Sequence, residues 1–207
     1  VGFNFAQIGT GPQLAHLVLQ RMLDQGLRPD RVLIQFWPPL RASNGYLRGY
    51  VDRIHLSTLD LSAVRLLARY LPKPRQLYAM WLPAQLAPIF TSRFVRLSRL
   101  GKSGAPDFDP DRRLENLDAS GWWAPRETVS DDDRRKLIAH YEGIYAKRLV
   151  DFRVFPTPDA ALQNMLTLCK SKGIKAAVIV LPEADSFRAL YSPASTAAVD
   201  AYLARPA

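Results

Sequence analysis

The sequence predicts an α/β protein: a three-layer α/β/α sandwich with a parallel sheet, carrying a helical, basic insertion. Three observations predict it. Strand and helix signals alternate at the start of the chain, the same alternation returns at its end, and the net charge of +9 belongs to the stretch between. The 207 residues are 48% hydrophobic and 23% charged, the balance of a globular domain with a sizeable core. Disordered, collagen-like and disulfide-scaffold classes are excluded. With one cysteine, Cys169, and three histidines, nothing points to a metal site or a cofactor.

In chain order, Val1, Phe3 and Phe5 alternate with small or polar residues and read as a strand that breaks at Gly9-Thr10-Gly11-Pro12. From Gln13 to Gln25, Leu14, Leu17, Val18 and Met22 share one helical face, with Pro12 suited to the first turn and Gly26 to the C-terminal cap. Val32 to Trp37 is apolar apart from Gln35 and is stopped by Pro38-Pro39, as a buried parallel strand would be. Strand, helix and strand at this spacing make a right-handed βαβ unit.

The end of the chain repeats the pattern. Ser130 before Asp131-Asp132-Asp133 is a helix N-terminus, with carboxylates at the positive end of the dipole. Leu137, Ile138, Tyr141, Ile144, Tyr145 and Leu149 are its expected buried face. An extended piece, Phe152 to Phe155, leads through Pro156-Thr157-Pro158-Asp159 into a second helix. Its Leu162, Met165, Leu166 and Cys169 share one side, and it ends near Gly173. Ala176 to Leu181 is a second buried-strand signal, ended by Pro182. Cys169 reads as a small core residue.

The middle, residues 41–129, reads as an insertion or lid within a single domain spanning 1–207. His55 to Tyr70 has the spacing of one amphipathic helix, and Leu77 to Phe90 is uncharged and interrupted by Pro83 and Pro88. From Arg41 to Ala105 there are eleven Lys and Arg against two acids, while the rest of the chain balances at 17 against 17. Lys73 and Arg75 before the uncharged stretch, and Arg93, Arg96 and Arg99 after it, with Trp81 inside it, suit a segment lying on an anionic membrane surface. A lid packed on the sheet with solvated arginines is the other reading. Nucleic acid is disfavoured, because the aromatic residues are not interleaved with the basic ones.

In an open parallel sheet, ligands gather at the carboxyl ends of the strands. The turn Asn4-Phe5-Ala6-Gln7-Ile8-Gly9-Thr10-Gly11-Pro12 places two glycines before a helix N-terminus, a potential oxyanion cradle. It lacks the lysine of a P-loop, and Leu14 breaks the dinucleotide fingerprint.

Asn4 and Gly9, the strand Val32 to Trp37 after Arg28-Pro29-Asp30, and the late strand followed by Pro182-Glu183 and Phe187-Arg188 together resemble the SGNH or GDSL hydrolases and related bacterial SGNH-like proteins. The resemblance implies a flavodoxin-like sandwich and a parent protein that hydrolyses or transfers O-acyl esters of a small molecule or an envelope polysaccharide. It assigns an oxyanion-binding N–H to Gly9. It also implies a nucleophilic Gly-Asp-Ser before Val1 and an Asp-x-x-His after Ala207, so the chain is expected to be a truncated, inactive piece with a place at the cell envelope. No basic stretch followed by an apolar h-region opens the given residues, which leaves open a signal peptide preceding Val1. Pro38-Pro39 stands where the family's Gly-x-Asn would follow the strand, with Asn44 as a substitute from another loop. His16, His55 and His140 carry no motif. Glu183, after a strand end, is a candidate base or ligand, or a solvated loop residue. The alternative reading is a non-catalytic binding or membrane-surface module that uses the basic insertion.

Overall fold

The order of elements follows the alternation in the sequence. A computed structural model describes residues 11–42, 56–86 and 130–205. These divide between two compact units, 56–86 in one and 11–42 with 130–205 in the other. The expected strand Val1 to Phe5, Gly9, Asn44 and His55 lie outside the described residues, as do Arg93, Arg96 and Arg99.

In the larger unit, α1 (Pro12–Asp24) leads to β1 (Arg31–Phe36) and the single-turn helix α2 (Pro38–Arg41). Gly26 sits at φ 88°, a left-handed conformation that a β-carbon would strain, and it turns the chain from α1 toward β1. Pro38-Pro39 stops the strand as expected, and the fixed proline φ then starts α2 at once.

Further along the same unit come α5 (Asp131–Val150), α6 (Pro156–Ser171), β2 (Lys175–Val180), the one-turn α7 (Asp185–Arg188) and α8 (Pro193–Leu203). The labels α3 and α4 belong to the smaller unit: α3 is Leu61–Ala68 and α4 is Pro74–Leu86. The second helix-to-strand turn repeats the first, with Gly173 at φ 68°. Strands β1 and β2 pair in parallel from Arg31 beside Lys175 to Phe36 beside Val180. Mixed α/β character, mostly helical with one two-stranded parallel sheet among the described residues, is the architecture.

One face of the sheet is covered. Ile34 and Phe36 pack with Leu19 and Leu23 of α1, Leu162, Met165 and Cys169 of α6, and Tyr202 of α8. On the opposite face Leu33 is 66% exposed, and no described element covers it. The expectation of two buried strands is therefore corrected. Helices cover one side of the sheet, and β2 is exposed along most of its length.

Helix α5 starts as read, with the Ser130 hydroxyl accepting from the Asp133 N–H at 3.1 Å. Its expected buried face is also corrected. Only Tyr145 and Leu149, near the end that meets α2, are buried, while Leu137, Ile138, Tyr141 and Ile144 remain exposed. Hydroxyls splice the break after this helix. Ser195 accepts from the Phe152 N–H at 3.0 Å and donates to the Val150 carbonyl at 2.9 Å.

A buried arginine ties the carboxyl end of β1 to the start of α6. Arg41, 1% exposed, donates to the Pro158 carbonyl at 2.6 Å, and its own carbonyl accepts from the Phe155 N–H at 3.0 Å. Its guanidinium lies 5.4 Å from the Phe36 ring centroid. Tyr202 stacks on the same ring at 5.3 Å and donates to Asp159 at 2.5 Å. Burial lowers the Arg41 pKa to about 10, opposed by the Tyr202 and Asp159 charges, so the side chain stays a cation at neutral pH. Burial, aided by the Asp159 hydrogen bond, pushes Tyr202 up to about 12.

In the smaller unit the single helix expected from His55 to Tyr70 is two pieces. A 3-10 turn (Leu56–Thr58) precedes α3 because Asp60 caps a fresh start, accepting from the Ala63 N–H at 2.7 Å. Helix α4 runs through Pro83, where the expected interruption does not occur. The carbonyl that Pro83 leaves without an N–H partner belongs to Ala79, which is exposed to water. Trp81 donates its indole N–H to the Leu59 carbonyl at 2.8 Å, and Gln85 donates to Leu56 at 2.9 Å.

Replacing Arg41 by Ala is expected to cost about 3 kcal/mol of stability, since it empties a buried site and strands the Pro158 carbonyl. Tyr202→Phe, which removes one hydroxyl, should cost about 1 kcal/mol. Urea denaturation of the two variants checks the order, and equal costs would contradict it.

Candidate functional site

The carboxyl ends of the two parallel strands deliver different chemistry to one place. Trp37 comes directly after β1, and Pro182-Glu183 comes shortly after β2. The connection 25–30 returns the chain from α1 to the start of β1, so α1 begins at the same edge of the sheet where β1 ends.

Glu183 is half-buried and accepts the Tyr191 hydroxyl at 3.0 Å. Burial raises its pKa, opposed by the Tyr191 hydroxyl, the Trp37 indole and the Arg188 guanidinium, each of which favours the charged form. Tyr191 is shifted upward in turn, by burial and by the neighbouring carboxylate. Arg188 also pairs with Asp185 across one turn of α7.

Trp37, which acts on the carboxylate, belongs to a cluster of aromatic rings. Trp37 meets Tyr145 edge-on at 5.3 Å and lies nearly parallel to Phe187 at 6.2 Å. Tyr145 and Phe187 close the triangle at 6.0 Å. Tyr141 extends it along α5, parallel to Tyr145 at 6.2 Å, with His140 edge-on beyond.

A second polar feature marks the start of α1. Gly11 caps the helix without a side-chain hydrogen bond, and Gln13, 1% exposed, has a buried Oε1 with no partner among the described residues. Buried polar atoms are nearly always paired, so this oxygen stands out. His16 lies buried on the same helix, engaged in interactions of its own.

The basic candidates separate. Lys73 and Arg75 are exposed at the start of α4. Trp81 is half-buried, its N–H committed to Leu59. Met80, Leu82 and Leu86 on the same helix are exposed, Leu86 to 79%. No helix among the described residues is long and apolar enough to cross a membrane. Cys169 is fully buried and burial pushes its thiol up, which suits packing rather than reactivity.

Sequence reasoning named Glu183 without its partners. Tyr191 and Trp37 are invisible as partners because one lies on a later loop and the other follows a different strand. The order strand, Pro-Glu, then Phe-Arg and Tyr was the available signal. Fold and site together define a mixed α/β protein with a carboxylate beside Trp37 at the carboxyl edge of a parallel sheet. No family model, curated protein or solved structure matches the chain.

The raised Glu183 pKa has a definite sign. The folded state favours the protonated acid, so its contribution is full below the ordinary value of 4.5 and is lost as pH rises through the raised one. Glu183→Gln stays neutral and keeps an acceptor for Tyr191. Its stability relative to the parent protein should therefore rise between pH 4 and pH 7 in paired urea titrations. A difference independent of pH would contradict the assignment.

Proposed function

We propose that this chain is part of an SGNH-hydrolase-like protein that hydrolyses or transfers O-acyl esters. The observation that carries the reading is Trp37 beside Glu183 at the carboxyl edge of a parallel sheet, where open α/β folds bind ligands. The Gln13 oxygen, without a partner among the described residues, adds a polar group able to meet a ligand. In this mechanism a serine outside the chain attacks the acyl carbonyl, and the Gly9 N–H helps hold the oxyanion as the alcohol leaves. Water or an acceptor hydroxyl then takes the acyl group from the serine.

The protein expressed from its full reading frame should turn over p-nitrophenyl acetate and be silenced by a serine-directed phosphonate. The 207-residue chain alone should not exceed buffer. No turnover and no phosphonate labelling of the full-length protein removes the esterase reading.

A second reading rests on α4. Exposed Lys73 and Arg75 beside exposed Met80, Leu82 and Leu86 have the chemistry of a membrane-surface segment. On this reading the protein sediments with vesicles containing anionic lipid and is released by high salt, and Lys73→Glu with Arg75→Glu weakens the binding. Equal sedimentation with neutral vesicles would count against it.

A further inference from the structure

Helix α5 carries an apolar stripe that no described residue buries. Leu137, Ile138, Tyr141 and Ile144 are each between 40% and 47% exposed, whereas Tyr145 and Leu149 are the buried residues of the helix. Apolar side chains exposed singly are ordinary, but four that adjoin on one helix mark a surface that meets something. The spacing gives the stripe its form. Arg134, Leu137, Tyr141, Ile144 and Arg148 follow one another at alternating steps of three and four, the seam of a two-helix coiled coil. Leu137, Tyr141 and Ile144 are its apolar middle, and the arginines bound it.

The charges beside the seam say what covers it. On the side away from Tyr145 and Leu149, Asp133, His140 and Lys147 recur every seven residues and form one flanking row, acid first and base last. All three are exposed. Asp133 accepts the Ser130 hydroxyl and lies 3.9 Å from Lys136, yet its side chain is still 63% exposed. A row that runs from acid to base is complementary to itself when reversed. A second copy of α5 laid antiparallel sets the partner's Lys147 beside Asp133 and, by the two-fold symmetry, the partner's Asp133 beside Lys147, with His140 near the axis. The same register lays Tyr141 against the partner's Leu137. Antiparallel helices also oppose their dipoles, which a parallel pair would align. An anionic membrane would instead meet the three carboxylates of the first turn, Asp131, Asp132 and Asp133.

We propose that α5 is a self-association surface, on which two copies of this chain pair as an antiparallel seam around Leu137, Tyr141 and Ile144, registered by Asp133 against the partner's Lys147. The contact uses the same patch on both copies, so it closes at two. It requires neither ester chemistry nor a lipid surface.

Sedimentation velocity of the protein expressed from its full reading frame, at concentrations up to about 100 µM, tests it. A monomer–dimer equilibrium is expected. Leu137→Asp with Ile144→Asp, both at exposed positions, should leave only monomer while the circular dichroism spectrum is unchanged. Asp133→Lys alone and Lys147→Asp alone should each weaken pairing about tenfold, because each dimer then holds two like-charged contacts. An equimolar mixture of those two variants should pair as the parent does, since both contacts become opposite in charge. Mixing cannot repair a helix start weakened by Asp133→Lys, so recovery reports the contact between copies. Monomer at every concentration, a dimer indifferent to Leu137→Asp with Ile144→Asp, or a mixture that pairs no better than its components overturns the proposal.

Discussion

Arg41 is the constraint on which the larger unit depends. A guanidinium taken out of water costs several kcal/mol unless it is met by hydrogen bonds and opposite charge. Here the Pro158 carbonyl, the Asp159 carboxylate and the Phe36 ring supply those terms. The end of β1, the first turn of α6 and the end of α8 are thereby fixed to one another through a single side chain and its neighbour Tyr202. The chain leaving β1, beginning with Trp37, inherits that fixed position.

The site at the sheet edge is built on this frame. Trp37 lies one residue from Phe36 on one side and one from α2 on the other, so its ring is held between two anchored elements. Tyr145 lies in the buried last turns of a helix whose early turns are exposed, and it packs edge-on against Trp37. Glu183 and Phe187 arrive from the second strand. A carboxylate held between a tyrosine hydroxyl, an indole and a guanidinium keeps its direction while its protonation is balanced between burial and its partners.

Local signals carried much of this fold in the sequence. Pro12, Ser130, Gly26 and Gly173 mark helix ends through chemistry confined to a few residues, and those ends fall where they mark them. Both described strands also lie within a residue of their apolar runs. Burial was less legible, because periodicity says which residues share a face and not whether anything covers it. Leu137, Ile138 and Ile144 share a face with Tyr145 and Leu149, and only the last two are buried. Asp60 divided a helix that spacing alone had joined, through one side-chain hydrogen bond to Ala63. The site was the least legible part. Trp37 and Glu183 lie far apart in the chain, and nothing local announces that Tyr191 turns back onto the carboxylate.

The paired glycine turns carry a kinetic consequence. Each makes a compact helix-to-strand hairpin, α1 with β1 and α6 with β2, whose contacts are short in sequence and quick to form. Joining the hairpins brings Arg31 beside Lys175, across the whole intervening chain. The entropy of closing that loop is lost before any inter-strand contact offsets it. The pairing of β1 with β2 is therefore the contact of longest sequence separation in the sheet, and closing it carries an entropic cost that the two glycine turns do not.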